Sequence, residues 1–201
     1  MLENQEIKIH SQIPIERLLK SQAYISGLWI NSQTQVNVRD PHTHAGLARV
    51  AIFDEHEQRQ ALEQVQGGWQ VLLPEQRKLA LSAWLELIGN CQNALALIQS
   101  SELGCSWDKA RGEITAVLSD IQQRSVLANS PDRASTKSVL MIDGCPQSPL
   151  SSIIAQAVPA LIAGSAVVAK PPRQTPLGTL ALAAIAEQAN LPSGAFNVVP
   201  F

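Results

Sequence analysis

The stretch "SAVVAKPPRQTPLGTLALAAIAEQANLPSGAFNVV", residues 165–199, decides the fold. A short β-branched run ends in Lys170 and two prolines, the sixteen residues "TPLGTLALAAIAEQAN" follow with a helix composition, and "AFNVV" closes as a second short strand. Immediately upstream, "SVLMI" (138–142) reads as a strand and "PLSSIIAQAVPALIAG" (149–164) as a helix. The order is βαβαβ, the unit that builds half of a doubly wound, nucleotide-binding sheet. In such a sheet ligands gather beyond the carboxyl ends of the strands. The segments to inspect are therefore "DGCPQSP" (143–149) and "KPPRQTP" (170–176). Lys170 and Arg173 are cations placed where phosphate and ribose groups are held, on a turn that prolines fix without a backbone donor. The plain alternative is a solvated strand end, since neither G-x-G-x-x-G nor a P-loop occurs.

Working outward, "NSPDRASTK" (129–137) is a linker rich in turn formers. Before it, Asp54 and Glu57 have capping-box spacing at the start of a helix, with Ala61, Leu62, Val65 and Trp69 on one face. Pro74 begins a helix that carries Leu79, Ala83 and Leu87 and closes near Leu103. A further helix runs from Trp107 to Leu127 with Ile114, Val117, Leu118 and Ile121 as its apolar stripe. Two or three short strands are expected in "YISGLWINSQTQVNVRDP" (24–41), another in "LARVAIF" (47–53), and a short docking helix in "IPIERLLK" (13–20). The expected organisation is a tail (1–23), N-terminal strands and helices (24–128), the linker (129–137) and the half-sheet (138–201). The fold class is α/β: a partial Rossmann-like half-sheet, preceded by short strands and a helical region.

The 201 residues carry a formal net charge of −2 and are 45% hydrophobic, a balance with no electrostatic footprint for nucleic acid or a membrane surface. Cys91, Cys105 and Cys145 are odd in number and irregularly spaced, which suits reduced thiols and a cytoplasmic location. The opening residues are polar, with no apolar core of a secretory signal. The apolar run from Ser152 to Ala169 is interrupted by Gln156, Pro159 and Gly164, and is shorter than the roughly 20 residues a bilayer requires. His42 and His44 form H-T-H in a loop, too few ligands for a metal site; His10 and His56 have no evident partners. Trp29, Trp69, Trp84 and Trp107 read as packing residues.

From Tyr24 to Val199 the sequence resembles the N-terminal portion of the aldehyde dehydrogenase superfamily, and within it the succinate-semialdehyde dehydrogenases. "YISGLWI" is similar to the family's Y-I-N-G-x-W, "DPHTHAG" to N-P-x-T-G, and "ELGCSWDKARGEI" to E-x-G-K-P-x-x-E-A-x-G-E-I. The run from Val158 to Val199 resembles P-A-L-A-A-G-N-x-V-V-x-K-P-S-E-x-T-P through G-x-P-x-G-x-F-N-V-V. The resemblance implies oxidation of an aldehyde to a carboxylate with NAD(P). It puts Lys170 at the position that holds the adenosine ribose, beside Pro172. Arg173 falls where members have a glutamate for the 2′-hydroxyl, or a serine. An arginine cannot accept those bonds but suits a phosphate, so NADP is expected over NAD. Pro146 and Gln147 fall in the family's P-W-N-F-P; the asparagine there donates to the oxyanion, and Gln147 offers the same amide one methylene farther out. Cys145 has no activating base in sequence view.

The family's nucleophilic cysteine and general-base glutamate lie beyond the resembling part. The chain is therefore expected to be truncated before the catalytic domain and inactive alone. Its alternatives are a non-catalytic module that pairs an open sheet edge, "SVLMI", with another chain, or a degenerate gene product. The linker is also shorter than the family's subunit-bridging hairpin, which leaves family-type assembly open.

Overall fold

The structure is a computed structural model, and it describes residues 13–63, 65, 68–127 and 138–201. The linker expected at 129–137 lies outside the described residues, as do His10 and the side chains of Ala61 and Leu62. In chain order the elements are α1 (Ile15–Leu18), β1 (Ala23–Ile25), β2 (Leu28–Ile30), β3 (Gln35–Arg39), β4 (Gly46–Ala51) and α2 (Glu55–Glu63). There follow α3 (Pro74–Asn90), α4 (Gln92–Leu103), α5 (Trp107–Leu127), β5 (Val139–Asp143), α6 (Pro149–Ile162), β6 (Ala166–Lys170), α7 (Leu177–Gln188) and β7 (Phe196–Val198).

The expected βαβαβ unit is present. β6 pairs in parallel with β5, Met141 opposite Val168, and with β7, Val168 opposite Asn197. β1 then adds antiparallel to β7 and β2 to β1, giving the sheet order β2-β1-β7-β6-β5. One sheet thus joins residues from both sides of the expected linker. β3 and β4 form a separate hairpin.

Strand alternation divides the core in two. Ile142, Val167, Ala169, Phe196 and Val198 face one way and share a cluster with the buried residues of α3 to α7. Val168 and Val199 face the other way, against Ala23, Ile25, Ala51 and Phe53. The helical side carries the larger core, where Trp84 is fully buried, its ring 4.9 Å from that of Phe196 and its Nε1 donating to Leu182 O at 3.2 Å. Truncating such a ring costs about 3–5 kcal/mol. Beyond β5 the sheet has no further strand among the described residues. Val139, Leu140 and Met141 are 40%, 44% and 45% exposed, so the apolar edge expected at "SVLMI" is a feature of the structure.

Local signals explain most boundaries. Asp54 Oδ1 accepts from the N–H groups of His56 and Glu57 while Glu57 Oε2 accepts from Asp54 N, a complete capping box on α2. α4 stops at Gly104, in the left-handed region at φ 66°. α7 stops at Asn190, also left-handed, with Leu191 N reaching back to Ala186 O at 2.9 Å.

Three expectations need correction. The helix from Pro74 to Leu103 is two helices, broken at Cys91 (φ −95°, ψ 7°) directly after "GN", residues with poor helix propensity. The buried face of α3 is Arg77, Leu81, Trp84 and Ile88; Leu79 is 73% exposed and Ala83 exposed. Two interleaved apolar rows exist on this helix, and the one carrying the tryptophan is buried because it displaces the most apolar area. Trp69 is not on α2, which ends at Glu63; it sits in the following turn, fully buried, and donates from Nε1 to Leu161 O at 3.1 Å.

α7 begins on a bond invisible in local sequence. Glu102, from the last turn of α4, is buried, and its two carboxyl oxygens accept from Leu177 N at 2.6 Å and Gly178 N at 2.9 Å. Burial pushes its pKa up to about 8, outweighing those two N–H bonds, which favour the charged form. A group held above its unfolded value favours folding most when protonated in both states, so its contribution declines as pH rises from about 4.5 towards 8. Urea midpoints measured between pH 5 and 8 should fall with pH in the wild type, and that slope should be reduced in Glu102→Gln. The variant should also be less stable at pH 5 by about 1–3 kcal/mol, because its amide meets one of the two N–H donors with a donor of its own. Parallel pH profiles would refute the assignment.

Candidate functional site

The carboxyl ends of β5 and β6 lie side by side, and two loops leave them. Gly144 N donates to Lys170 O at 2.9 Å, and a Cβ at Gly144 would lie 2.8 Å from Pro172 Cδ. Only glycine allows this approach, so the β5–α6 and β6–α7 loops are packed as one surface. Ser152 Oγ accepts from Cys145 N at 2.8 Å, and Gln156 Nε2 donates to Asp143 O at 3.2 Å, tying the first loop down onto α6. Thr175 N donates to Pro172 O at 3.0 Å and closes the second loop into a turn.

Lys170 is the best-defined side chain of this surface. Its Nζ lies 3.8 Å from Asp143 Oδ1 and 3.7 Å from the centroid of the Phe201 ring, and the side chain is 19% exposed. With Gln58, Met141, Val168 and Val199 it lines a cleft of about 10 Å³, room for one water. A roomier concavity of about 280 Å³ lies on the β3–β4 hairpin, lined by Asn37, Arg39, Leu47 and Arg49 among others. Volume alone favours the hairpin, but it involves no strand end of the parallel sheet, where the polar groups converge.

The other expected residues fall around Lys170 with different degrees of restraint. Pro172 is half-buried against Gly144. Arg173 is exposed, and among the described residues its guanidinium has no hydrogen bond or ion pair. Pro146 and Gln147 are exposed on the first loop. Gln147 turns towards its own loop, where its Oε1 accepts from Cys145 Sγ at 3.0 Å. The side-chain carbonyl of Gln147 is thus engaged with the neighbouring thiol, and the NH₂ expected to serve an oxyanion is not the atom in that contact.

Asp143, Phe201 and the environment of Cys145 are what sequence reasoning missed. The Cys145 thiol is held below its usual range, chiefly by the backbone N–H of Gln147 and then by the Ser148 side chain. Burial raises that of Cys91. The signal for Cys145 was available: the residue sits just ahead of Ser148, the N-cap of α6, and such positions favour a thiolate. His42 Nε2, by contrast, pairs with Gly104 O at 2.6 Å, tying its loop to the end of α4.

Comparison with known proteins places this geometry. The profile of the Aldehyde dehydrogenase family matches residues 29–141 and 147–201, with a gap over the end of β5 and the start of the loop that follows it. Glutarate-semialdehyde dehydrogenase from Pseudomonas aeruginosa is 31% identical over 94% of this chain and 43% of that enzyme. Succinate-semialdehyde dehydrogenase [NADP(+)] from Escherichia coli is 31% identical over 90% of the chain and 42% of the enzyme. The solved succinate-semialdehyde dehydrogenase from Burkholderia pseudomallei superposes with a TM-score of 0.82 at 30% identity, over 94% of this chain and 43% of that one. The chain spans less than half the length of the relatives it matches. Among the described residues, no helix is long and apolar enough to cross a membrane.

The thiol environments are directly measurable. Iodoacetamide at pH 7.5, read by peptide mass spectrometry, should alkylate Cys145 at least about tenfold faster than Cys91, which should react fully only after denaturation. Equal rates for the two would contradict the geometry.

Proposed function

The chain belongs to the aldehyde dehydrogenase family, and from that premise we propose that it is a cofactor-holding portion of an NAD(P)-dependent aldehyde oxidoreductase. The observation that carries this reading is the position of Lys170 at the carboxyl end of the central parallel strand, its ammonium restrained beside Asp143 where the two crossover loops meet.

The residues fit a nicotinamide nucleotide in kind. Lys170 would donate to the adenosine ribose hydroxyls, Pro172 would hold the turn, and Pro146 would border the site from the other loop. Arg173 supplies an unengaged planar fork suited to a 2′-phosphate, which favours NADP. The E. coli relative named for NADP(+) supports that preference. Bound nicotinamide would serve as hydride acceptor in aldehyde oxidation. That chemistry also needs a thiol nucleophile and a general base, which the family resemblance assigns outside the present sequence. Gln147 is the residue left at the oxyanion position, and its pairing with Cys145 places its carbonyl, not its amide, in the nearest contact. Alone, the chain would hold nucleotide without turning over aldehyde.

Calorimetric titration tests this. NADP+ should bind weakly but saturably, and Lys170→Ala should weaken it about tenfold or more, the scale of a lost charged hydrogen bond. Arg173→Ser should reduce affinity for NADP+ several-fold while leaving NAD+ within about a factor of two. No saturable binding at millimolar nucleotide, or binding indifferent to Lys170→Ala, would overturn the reading.

The β5 edge favours a second role that does not exclude the first. Strands buried on both faces are apolar throughout, and Val139–Ile142 has that composition while Val139, Leu140 and Met141 stand exposed. We infer that this edge pairs with an apolar strand of another aldehyde dehydrogenase chain. Light scattering behind size exclusion should find a complex when the chain is mixed with a full-length relative, and none with Met141→Lys. A monomer in every mixture would remove this role.

A further inference from the structure

An aromatic ring lies over Lys170. Two backbone bonds fix the segment that carries it: Val199 N donates to Ala169 O at 3.0 Å, and Phe53 N donates to Pro200 O at 2.9 Å. Phe201 follows directly and sets its face 3.7 Å from the Lys170 ammonium, within the range of a strong cation–π contact. On the other side Asp143 Oδ1 lies 3.8 Å away. Between carboxylate, ring and sheet, the Lys170 side chain is left 19% exposed. Pro200 limits the backbone freedom by which the ring might drift away.

We propose that Phe201 is an aromatic gate on Lys170: the ring caps the ammonium, and a nucleotide ribose reaches it only after the ring swings aside. The inference rests on the nucleotide reading above, and adds to it a cost that the chain imposes on its own ligand. Cation and ring attract each other, so every binding event exchanges that contact for hydrogen bonds to ribose. The gate lowers affinity without removing the site. It also acts on the adenosine end shared by both nucleotides, so it does not alter the NADP preference attributed to Arg173.

The contact has a signature that needs no ligand. Reductive methylation with ¹³C-formaldehyde labels each lysine, and Lys170→Arg identifies the Lys170 signal. In the wild type that signal should lie upfield of the other lysines because it sits over the ring face, and in Phe201→Leu it should return among them. Calorimetric titration of the unlabelled proteins with adenosine 2′,5′-bisphosphate should give about 2- to 30-fold tighter binding to Phe201→Leu than to the wild type. A Lys170 signal that is not upfield means that the ring does not cap the lysine, and overturns the gate. An upfield signal with equal or weaker binding to Phe201→Leu also overturns it, while leaving nucleotide binding intact. An upfield signal with no binding to either protein overturns the nucleotide reading, and the gate with it.

Discussion

Parallel pairing of β6 with both neighbours is the constraint from which the rest of the structure follows. Each parallel connection needs a crossover, and right-handed crossovers taken in the same direction across a sheet put their helices on one face. α6 and α7 therefore stand together, and α3, α4 and α5 pack over them into a single large core. The same geometry brings the carboxyl ends of β5 and β6 side by side, so that Gly144 can touch Pro172 and the two loops become one surface. It also leaves β5 at the edge of the sheet among the described residues, with Val139, Leu140 and Met141 exposed. Core, site and open edge are consequences of one topology.

Elements defined by short-range chemistry were legible in the sequence. The capping box at Asp54 and Glu57, Pro74 at the start of α3, and the whole βαβαβ run appear where residue patterns place them, because each signal acts within a few residues. What tertiary competition decides was not legible. α3 offers two apolar rows, and the choice of Leu81, Trp84 and Ile88 over Leu79 and Ala83 depends on which row meets Phe196 and α7. Trp69 continues the apolar spacing of α2 on paper, yet its indole is held 92 positions away, by the carbonyl of Leu161. Lys170 could be placed at a strand end from pattern, and its role came from resemblance. Its partners Asp143 and Phe201 lie 27 and 31 residues distant, and only the folded sheet brings them together.

Glu102 shows how a buried ionisable group can organise a fold rather than a reaction. A helix begins with unpaired N–H groups, and α7 begins in the interior with Pro176 as its N-cap and no side-chain cap of its own. The carboxyl group from α4 fills that role across 75 residues of sequence. A Cβ at Gly178 would lie 3.0 Å from Leu150 Cγ, so glycine there allows the helix to seat closely enough for both bonds. The position of α7 sets that of the loop before it, so the arginine and prolines of the candidate site rest on a contact made from the last turn of α4.

The two cations of that loop are held so differently that they suit different tasks. Lys170 is confined by a carboxylate, a ring and the sheet, so little rotamer entropy remains for it to lose when it meets a ligand. Its restraint costs it accessibility instead. Arg173 is open to solvent and must give up rotamer freedom on binding, which only a strong bidentate partner such as a phosphate offsets. On the proposed reading, the confined lysine would fix where a nucleotide sits, while the exposed arginine would contribute only when a 2′-phosphate is present. Discrimination between two cofactors would then arise from that asymmetry, without any change in the sheet that ends in Lys170.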